Sequence, residues 1–392
     1  MHSNLRVHVV AFDVPYPPNY GGVIDVFYKI KALHEAGVRV VLHAFQYGRP
    51  GSDELEEVCE QVYFYSRDNS SWLFLKKAPF IVSSRRNPML LTRLLADDAP
   101  ILFEGLHCAS FLNHPALKHR HKVLRTHNVE HEYYRALAKA STNWRLRKYF
   151  NMEARRLKRF EQVLHHAKYL ACISPADTDY FQKTYGKAHH ISAFHPFDEV
   201  EVPGETKPYV MYHGNLTVSE NNHAALWLVK HVFSKLDVPF KIMGNGADEE
   251  LREQVRAHKN IQLVEGLSTE EMYGAIREAH INLLPTFQAT GIKLKLLTAL
   301  HIGHHCVVNT PMIQNTGLEP LCTVADTPEE IARTVTQLMN EPFSPDVLSR
   351  RKEVLTKSFQ NAKWAEKLIR LLFPDRPVPH SHTVEFEKEI SL

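Results

Sequence analysis

The sequence predicts an α/β protein with two doubly wound parallel sheets in tandem, facing each other across a cleft. Its 392 residues exceed what one hydrophobic core usually organises, which favours two domains. Through the first half, short β-rich runs alternate with helical segments, and this wiring gives parallel sheets covered by helices on both faces. A polar stretch at 198–208 interrupts the alternation, which restarts at Tyr209 and continues through the second half.

The first half contains six of the predicted strands. A β-rich run at 5–12 is followed by a turn-forming stretch at 15–22, a helical pattern at 23–36 and a helix stop at Gly37. The later strands are predicted at 38–45, 62–65, 101–103, 123–125 and 169–173.

The second half repeats this rhythm, with strands predicted at 209–215, 240–243, 261–264, 281–284 and 306–309. Two of its helices carry the spacing of a capping box, Ser268 with Glu271 and Thr327 with Glu330. In a capping box, each side chain satisfies a backbone N–H that the helix itself leaves unpaired. The predicted domains are therefore 1–200 and 201–360.

Composition and charge exclude several classes of protein. The chain is 44% hydrophobic and 23% charged, which is typical of a soluble globular protein, and its net charge of +3 gives no support to nucleic-acid binding. The five cysteines are odd in number and widely spread, which favours reduced thiols over a disulfide framework. The sequence shows neither a long apolar run nor a signal-type start, so we expect a cytoplasmic location.

One segment, 143–162, is strongly basic. Seven Arg and Lys residues between positions 145 and 159 alternate with aromatic and aliphatic residues. The usual explanation of this pattern is a surface helix that packs its apolar side on the core, and the alternative is a helix that lies against an anionic membrane surface. The second interpretation predicts association with the inner face of the membrane.

Functional residues are expected on the loops that follow the strands, because parallel sheets bind ligands beyond the carboxyl ends of their strands. Gly21 and Gly22 lie between the first predicted strand and its helix, Gly244 follows a strand of the second half, and Gly291 opens a helix that carries Lys295. Glycine at such places allows either a simple turn or close approach of a phosphate to backbone N–H groups at a helix N-terminus. Lys295 adds ammonium charge to its loop.

His127 follows the strand predicted at 123–125 and is expected at its carboxyl end, facing the cleft. A histidine there either binds a sugar hydroxyl, exchanges a proton near neutral pH, or is structural. His127 and His131 also have the one-turn spacing of a zinc pair, with Glu130 or Glu132 as a further ligand. The H-E-x-x-H motif is incomplete and the sequence shows no clear third ligand, so we predict no metal.

Taken in order along the chain, these loops resemble those of the retaining nucleotide-sugar glycosyltransferases of family four, which have the two-Rossmann-domain B-type (GT-B) fold. The resemblance spans nearly the whole chain. It is carried by residues 15–22, 126–130, 213–215, 244–246 and 291–295, running on to 299–303. It implies a donor-binding second domain and an acceptor-side first domain that close around both substrates. It also implies that a helix at 361–374 crosses back to the first domain, followed by a tail at 375–392.

Carried over position by position, the resemblance implies that His127 lies near the transferred sugar as the catalytic residue. The phosphate loop would act through the backbone N–H groups of Gly291 and Ile292. The donor-binding residues implied by the resemblance are Gly21, Gly22, Gly214, Asn215, Gly244, Glu265, Gly266, Gln288, Thr290, Gly291, Ile292 and Lys295.

The sequence departs from the family pattern at two places. The family commonly has two glutamates around the phosphate loop, whereas this chain has Gln288, Thr290 and Thr298 in that region. The usual Lys or Arg after 213–215 is also missing, and Asn221 and Asn222 stand nearby. Reduced or absent activity is therefore one expectation.

Together these implications predict a hexosyl-type transferase that moves a sugar from a nucleotide-sugar donor, with retention, to an unidentified acceptor such as a lipid-linked or surface-polysaccharide glycan. The donor is a co-substrate, and we predict no metal or other cofactor. The predicted partners are donor, acceptor and a membrane contacted through 143–162, without nucleic acid. The alternatives are a non-catalytic sugar-nucleotide or partner-binding subunit of the same fold, an epimerase of the same architecture, and a metal hydrolase using His127 and His131.

Overall fold

Both halves of the chain fold around an all-parallel sheet. The computed structural model describes residues 5–141, 143–202, 204–287 and 294–375. Within these ranges, the first half forms a seven-stranded sheet and the second half a six-stranded sheet. The predicted fold class, two doubly wound parallel sheets in tandem, is confirmed.

The strands of the first sheet are β1 Leu5–Ala11, β2 Val38–Gln46, β3 Gln61–Ser66, β4 Ile101–Glu104, β5 Lys122–Thr126, β6 Tyr169–Cys172 and β7 Ala188–His190. Their order across the sheet is β3-β2-β1-β4-β5-β6-β7, and all neighbours pair in parallel. The chain order reverses between β1 and β4. A crevice therefore opens beyond the carboxyl ends of these two strands.

The strands of the second sheet are β8 Lys207–His213, β9 Phe240–Met243, β10 Ile261–Val264, β11 Ala279–Leu283, β12 His305–Val308 and β13 Thr323–Val324. They lie in the order β10-β9-β8-β11-β12-β13, so the reversal falls between β8 and β11. The short edge strands β7 and β13 were not predicted, because three and two residues carry too little periodicity to be recognised.

The helices cover both faces of the sheets. They are α1 Gly21–Glu35, α2 Phe80–Ser83, α3 Pro88–Leu94, α4 Glu130–Ala140, α5 Trp144–Phe160, α6 Pro175–Tyr185, α7 Ser219–Leu228, α8 Glu249–Arg256, α9 Thr269–Glu278, α10 Leu294–Ile302, α11 Thr310–Ile313, α12 Pro328–Leu338, α13 Pro345–Phe359 and α14 Asn361–Leu372. Both predicted capping boxes form, at the starts of α9 and α12. In the described ranges, no helix is both long and apolar enough to cross a bilayer.

The last helix completes the core of the first half. Trp364 and Leu368 of α14 are buried in the same hydrophobic cluster as Val9 of β1 and Ile30 of α1. The core of the second sheet is a separate cluster that contains Val210 among its buried residues. The chain therefore returns to its first half after building the second, while the exact domain boundaries stay predictions.

The two passages of the chain between the halves are hydrogen-bonded to each other. His195, on the outward passage, donates from Nε2 to the carbonyl oxygen of Phe359 at 2.7 Å. Asn361 donates from Nδ2 to the carbonyl oxygen of His195 at 2.7 Å, and its Oδ1 accepts from the His195 N–H at 3.2 Å. These contacts hold the two crossings side by side.

Because Leu368 is fully buried between α14 and the first half, we expect Leu368→Ala to lower the free energy of unfolding by about 2–5 kcal/mol, measured by urea denaturation. The matched control is Glu366→Ala on the exposed side of the same helix, where Glu366 forms an ion pair with Arg370. Its effect should stay within about 0.5 kcal/mol. Equal losses in both variants would contradict the packing role of α14.

Candidate functional site

The first turn of α1 faces the start of α10 across the gap between the sheets. A Cβ placed on Gly21 would lie 3.9 Å from Leu294 Cδ1, and one on Gly22 would lie 2.7 Å from the ring of Phe12. Gly21 and Gly22 form the first turn of α1, and the interpretation that they lie in the loop before the helix is wrong. Tyr20 takes the capping position instead. The two halves therefore approach each other beside the N-terminus of α1.

A buried carboxylate of α1, Asp25, binds three separate parts of the first half. Its Oδ1 accepts hydrogen bonds from Arg125 Nη2 of β5 at 2.8 Å and from the N–H of Phe194 at 2.9 Å. Its Oδ2 accepts from Lys29 Nζ, one turn further along α1, at 2.9 Å. Arg125 also donates to the carbonyl oxygen of Ser192 at 2.8 Å. Asp25 thus links α1 and β5 to the passage that leads into the second half.

Glu104 and His127 extend this network to the cleft. Glu104 ends β4, and its Oε2 accepts from Lys29 Nζ at 2.9 Å and lies 3.1 Å from His127 Nε2. His127 Nδ1 lies 3.9 Å from Asp25 Oδ2, and the ring packs edge-on against Phe12 with 5.4 Å between centroids. The side chain of His127 is 12% exposed, whereas those of Glu104 and Asp25 are fully buried. Both ring nitrogens face carboxylates, which fixes the orientation of the imidazole.

Charge pairing outweighs burial in setting the ionisation of both carboxylates. Burial raises the pKa of Asp25, but the charges of Arg125 and Lys29 together bring it well below its usual range. For Glu104, burial again raises the pKa, and the charge of Lys29 with the hydrogen bond of His127 lowers it overall. Two carboxylates and two permanent cations balance each other. Burial of so many charges is tolerated because each one has a partner of opposite sign.

One carboxylate-histidine group has the spacing of a metal site. Ligand atoms of Asp25, Glu104 and His127 all lie within 4.8 Å of one another. The same carboxylates already bind Lys29 and Arg125, and a divalent cation would add two positive charges beside these two. The donor set therefore does not fit a metal ion, and we interpret it as a charge-paired scaffold.

His131 is directed away from His127. Its Nδ1 lies 2.9 Å from Glu161 Oε2, and both side chains are buried. The helix α4 begins at Glu130, so His127 precedes it and the one-turn spacing does not place the two histidines on one helix face. The structure thus gives no support to a zinc pair formed by His127 and His131.

The buried carboxyl of Glu130 lies three residues after His127 in the chain. Glu130 begins α4, and burial, together with the charge of Asp177, raises its pKa to about 8. Its Oε1 lies 3.9 Å from His107 Nδ1. Glu130 is therefore largely protonated at neutral pH and adds no full charge to the network around Glu104.

Two predicted loops pack backbone to backbone at the carboxyl edge of the second sheet. Gly214 follows β8 and Gly244 follows β9, and a Cβ on Gly244 would lie 1.8 Å from the carbonyl oxygen of Gly214. The φ of 155° at Gly244 also disfavours any other residue. Asn215 Oδ1 accepts from the N–H of Thr217 at 3.1 Å, which fixes the turn after Gly214. The structure therefore brings Gly214, Asn215 and Gly244 together, and β8 ends at His213, two residues before the end of the predicted strand.

Glu265, after β10, holds the neighbouring loop. Its Oε1 accepts from the N–H of Gly246 at 3.0 Å and from Arg252 Nη2 at 2.9 Å. The N–H of Gly266 donates to Asn245 Oδ1 at 2.6 Å. Glu265 and Gly266 thus border the Gly244 loop, but the Glu265 carboxylate is engaged by protein groups.

Lys295 brings positive charge to the start of α10. Its Nζ lies 3.0 Å from Asn221 Oδ1 and 4.8 Å from the centroid of the Tyr212 ring. His213 ends β8 and is buried, and burial together with the charge of Lys295 lowers its pKa to about 3. His213 is therefore neutral at physiological pH, and Lys295 carries the charge at this position. Gln288, Thr290, Gly291 and Ile292 lie outside the described residues, and their roles stay predictions.

Sequence reasoning missed most of the buried network: Asp25, Lys29, Glu104 and Arg125. A signal was present, because Asp25 and Lys29 are four residues apart in a helix with apolar neighbours and Glu104 directly follows the apolar run 101–103. Ionised groups in such surroundings require partners. The sequence gives no indication, however, of which distant residue supplies each partner.

We expect Gly244→Ala to destabilise the protein strongly, because the added methyl group collides with the Gly214 backbone and the φ of 155° adds strain. The matched control is Gly266→Ala, where φ is +78° but nothing lies within 4 Å of the added Cβ. Backbone strain without a collision should lower the stability of this variant by about 1–2 kcal/mol. Thermal denaturation of the two variants measures the difference. A smaller loss in Gly244→Ala than in Gly266→Ala would contradict the close approach of the two loops.

The buried network also predicts a pH dependence of stability. The pKa values of Asp25 and Glu104 are lower in the folded state than in the unfolded state. Their contribution to the free energy of unfolding is therefore fully present above the unfolded-state pKa, and it is lost as pH falls through the folded-state pKa. Wild-type stability should therefore decline below about pH 4. Asp25→Asn should lower the free energy of unfolding at pH 7 by about 3–5 kcal/mol and flatten the acid decline. Denaturation across pH measures both effects, and Asp237→Asn on the surface is the control that should show neither.

Comparison with known proteins gives one relative by sequence. No protein-family model matches the chain. A protein of Klebsiella pneumoniae described as an uncharacterized 44.6 kDa protein in the cps region is 27% identical over 315 residues, which is 75% of this chain and 80% of the relative.

Solved structures are similar over nearly the whole chain. The structure of TarM has a TM-score of 0.68 at 10% identity, with 94% of this chain and 99% of TarM covered. The lipopolysaccharide outer core galactosyltransferase WaaB gives 0.63 at 12% identity, with 95% and 100% covered. UGT89C1 of Arabidopsis thaliana, complexed with UDP-L-rhamnose, gives 0.56 at 14% identity, with 95% and 100% covered. The chain therefore has the GT-B fold, in which two Rossmann-like domains face each other across a cleft.

Proposed function

We propose that this protein is a glycosyltransferase that moves a sugar from a nucleotide-sugar donor to a glycan or lipid-linked acceptor. The observation that carries the proposal is the meeting of the two sheets' carboxyl edges, where Gly21 of α1 faces Leu294 of α10. Ligands of doubly wound sheets bind at these edges, so a substrate with a nucleotide and a sugar can contact both halves. The fold is shared with a galactosyltransferase and with a protein that binds UDP-L-rhamnose, which supports the proposal.

The second half provides the features that a diphosphate requires. Lys295 supplies an ammonium charge, and the loops at Gly214 and Gly244 leave backbone groups free of side chains. Backbone N–H groups at loops and helix N-termini, combined with lysine, are a common way to bind phosphate. The family resemblance assigns Gly291 and Ile292 to the same task. We therefore place the donor's nucleoside diphosphate on the second half.

The proposed chemistry is the departure of the sugar from its diphosphate through an oxocarbenium-like transition state. Lys295 and the N-terminus of α10 stabilise the negative charge that grows on the leaving phosphate. His127 lies across the cleft, fixed by Glu104, and contacts the transferred sugar. Because both of its ring nitrogens face carboxylates, we assign His127 to sugar positioning and electrostatic stabilisation. Retention of anomeric configuration, which the family resemblance implies, is tested by NMR analysis of the product.

The acceptor side of the proposal draws on the sequence relative. The relative from a cps region supports a role in polysaccharide biosynthesis. A lipid-linked or surface-polysaccharide glycan is the corresponding acceptor class, and transfer on the cytoplasmic side of the membrane is the corresponding location. Membrane contact through 143–162 is part of the same proposal.

One observation favours the alternative of a non-catalytic binding subunit. The two family glutamates are absent, and two carboxylates near the donor loops are engaged by protein groups. Glu265 binds the Gly246 N–H and Arg252, and Glu220 accepts a hydrogen bond from the hydroxyl of Thr286. Neither carboxylate is poised to replace a missing one. A wild-type protein that binds a nucleotide sugar without hydrolysing or transferring it would establish this alternative.

We expect Lys295→Gln to weaken nucleoside-diphosphate binding about tenfold or more, because a charge-assisted contact contributes about 1.5–3 kcal/mol. Calorimetric titration with UDP, GDP and ADP measures the effect and identifies the base. Lys235→Gln is the matched control, since Lys235 is exposed and precedes β9, towards the amino ends of the strands. Thermal stability of both variants separates lost binding from lost folding. Unchanged affinity in a folded Lys295→Gln protein would contradict the proposed donor site.

A further inference from the structure

Two segments of the first half expose large apolar side chains next to cationic ones. In the short turn Ser71–Leu75, Trp72 is 52% and Leu75 is 87% exposed. At the start of α5, Trp144 is 67% and Leu146 is 48% exposed. We call these four side chains, with Lys76, Lys77 and the basic residues of α5, the Trp72–Trp144 surface. Large apolar side chains presented together to solvent indicate an interaction site.

The two segments are neighbours because the turn packs along one side of α5. The ring of Phe74 lies 5.8 Å from that of Tyr149, and Arg156 Nη2 donates to the carbonyl oxygen of Phe74 at 2.8 Å. Glu153 of α5 accepts from the N–H of Phe80, just beyond the turn, at 2.7 Å. Trp144 lies five residues before Tyr149, about 7.5 Å along the helix axis and about 140° around it, so it extends the exposed area beyond the side of α5 that the turn covers.

The charge of this surface is strongly positive. The helix α5 carries seven basic residues and one acidic residue, Glu153, which is fully buried against Arg156. Basic residues at its first turns are unfavourable for the helix itself, because the N-terminus carries partial positive charge and no acidic residue offsets it there. Arg145, Arg147 and Lys148 are exposed there, so their charge is presented to solvent and to any anionic surface. Two copies that met through this same surface would bring like charges together, which disfavours a symmetric dimer at this place.

Each exposed tryptophan of this surface has a cation beside it. Lys76 Nζ lies 3.9 Å from the centre of the Trp72 ring, and Arg145 lies 5.4 Å from that of Trp144. An apolar ring with an adjacent cation suits the boundary between acyl chains and anionic headgroups, where tryptophan and snorkelling lysine or arginine side chains are stable.

We infer that the Trp72–Trp144 surface docks the protein on an anionic lipid bilayer. Trp72, Leu75, Trp144 and Leu146 enter the headgroup region, while the basic residues of α5 bind anionic headgroups. The helix α4 starts three residues after His127 and forms a hairpin with α5, so the docking surface is directly connected to the wall of the cleft. On the proposed glycosyltransferase function, this connection places a membrane-anchored acceptor within reach of the cleft.

The first experiment is sedimentation of the full-length protein with vesicles of phosphatidylcholine alone or mixed with phosphatidylglycerol, at low and high salt. We expect binding to the anionic vesicles, reduced by salt because exposed charges are screened. Arg145→Gln/Arg147→Gln and Trp72→Ser/Leu75→Ser should each lower the partition coefficient about tenfold or more. No binding, or equal binding to both kinds of vesicle, would overturn the inference.

Matched controls come from the second half of the chain. Lys352→Gln/Lys357→Gln removes two exposed charges of α13, and Val324→Ser removes an exposed apolar side chain of β13. Both should bind vesicles as wild type does, and losses equal to those of the surface variants would reveal a non-specific charge effect. Quenching of tryptophan fluorescence by brominated lipid should diminish in Trp72→Phe and in Trp144→Phe. Quenching unchanged in both would also overturn the inference.

Two further readouts separate this inference from other outcomes. Light scattering without lipid reports self-association, and surface variants that abolish a dimer while leaving vesicle binding intact would assign the surface to a second copy. Calorimetric titration with UDP, GDP and ADP in solution is independent of lipid. Intact nucleotide binding with failed docking rejects the bilayer alone, whereas intact docking without nucleotide binding rejects the proposed donor site alone.

Discussion

The site depends on one buried carboxylate, Asp25. It accepts hydrogen bonds from Lys29, Arg125 and the backbone of Phe194, so one side chain connects the first helix, a central strand and the passage to the second half. Removing the charge of Lys29 or Arg125 would leave excess negative charge in a buried interior, which costs more than the pairing itself contributes. Asp25 and its partners therefore hold one another in place. Lys29 also binds Glu104, so the network fixes Glu104 and, through it, His127.

The same network lies close to the place where the chain changes halves. Arg125 binds the carbonyl oxygen of Ser192, and three residues later His195 is bonded to the returning chain at Phe359 and Asn361. Hydrogen bonds on residues 192, 194 and 195 thus tie the network of the cleft wall to both crossings.

The two walls of the cleft have different electrostatic character. On the first half, the charges of Asp25, Glu104, Lys29 and Arg125 cancel and are sealed from solvent. On the second half, Lys295 carries a charge beside a neutral His213. This asymmetry suits the proposed donor, because an anionic diphosphate requires positive charge and Lys295 supplies it on one wall only. The Trp72–Trp144 surface, which is also positive, lies on the first half, the proposed acceptor side.

The sequence by itself determined the two sheets, because the apolar runs of buried parallel strands and the capping boxes at Ser268 and Thr327 are local signals. It also placed His127, Gly214 and Gly244 at strand ends, since strand direction alone decides which loops share an edge. Only the tertiary structure decided that Asp25 pairs with Arg125, 100 residues away, and that His131 binds Glu161 instead of facing His127. Pairing of buried charges depends on which segments the fold brings into contact, and one-dimensional periodicity does not contain that information.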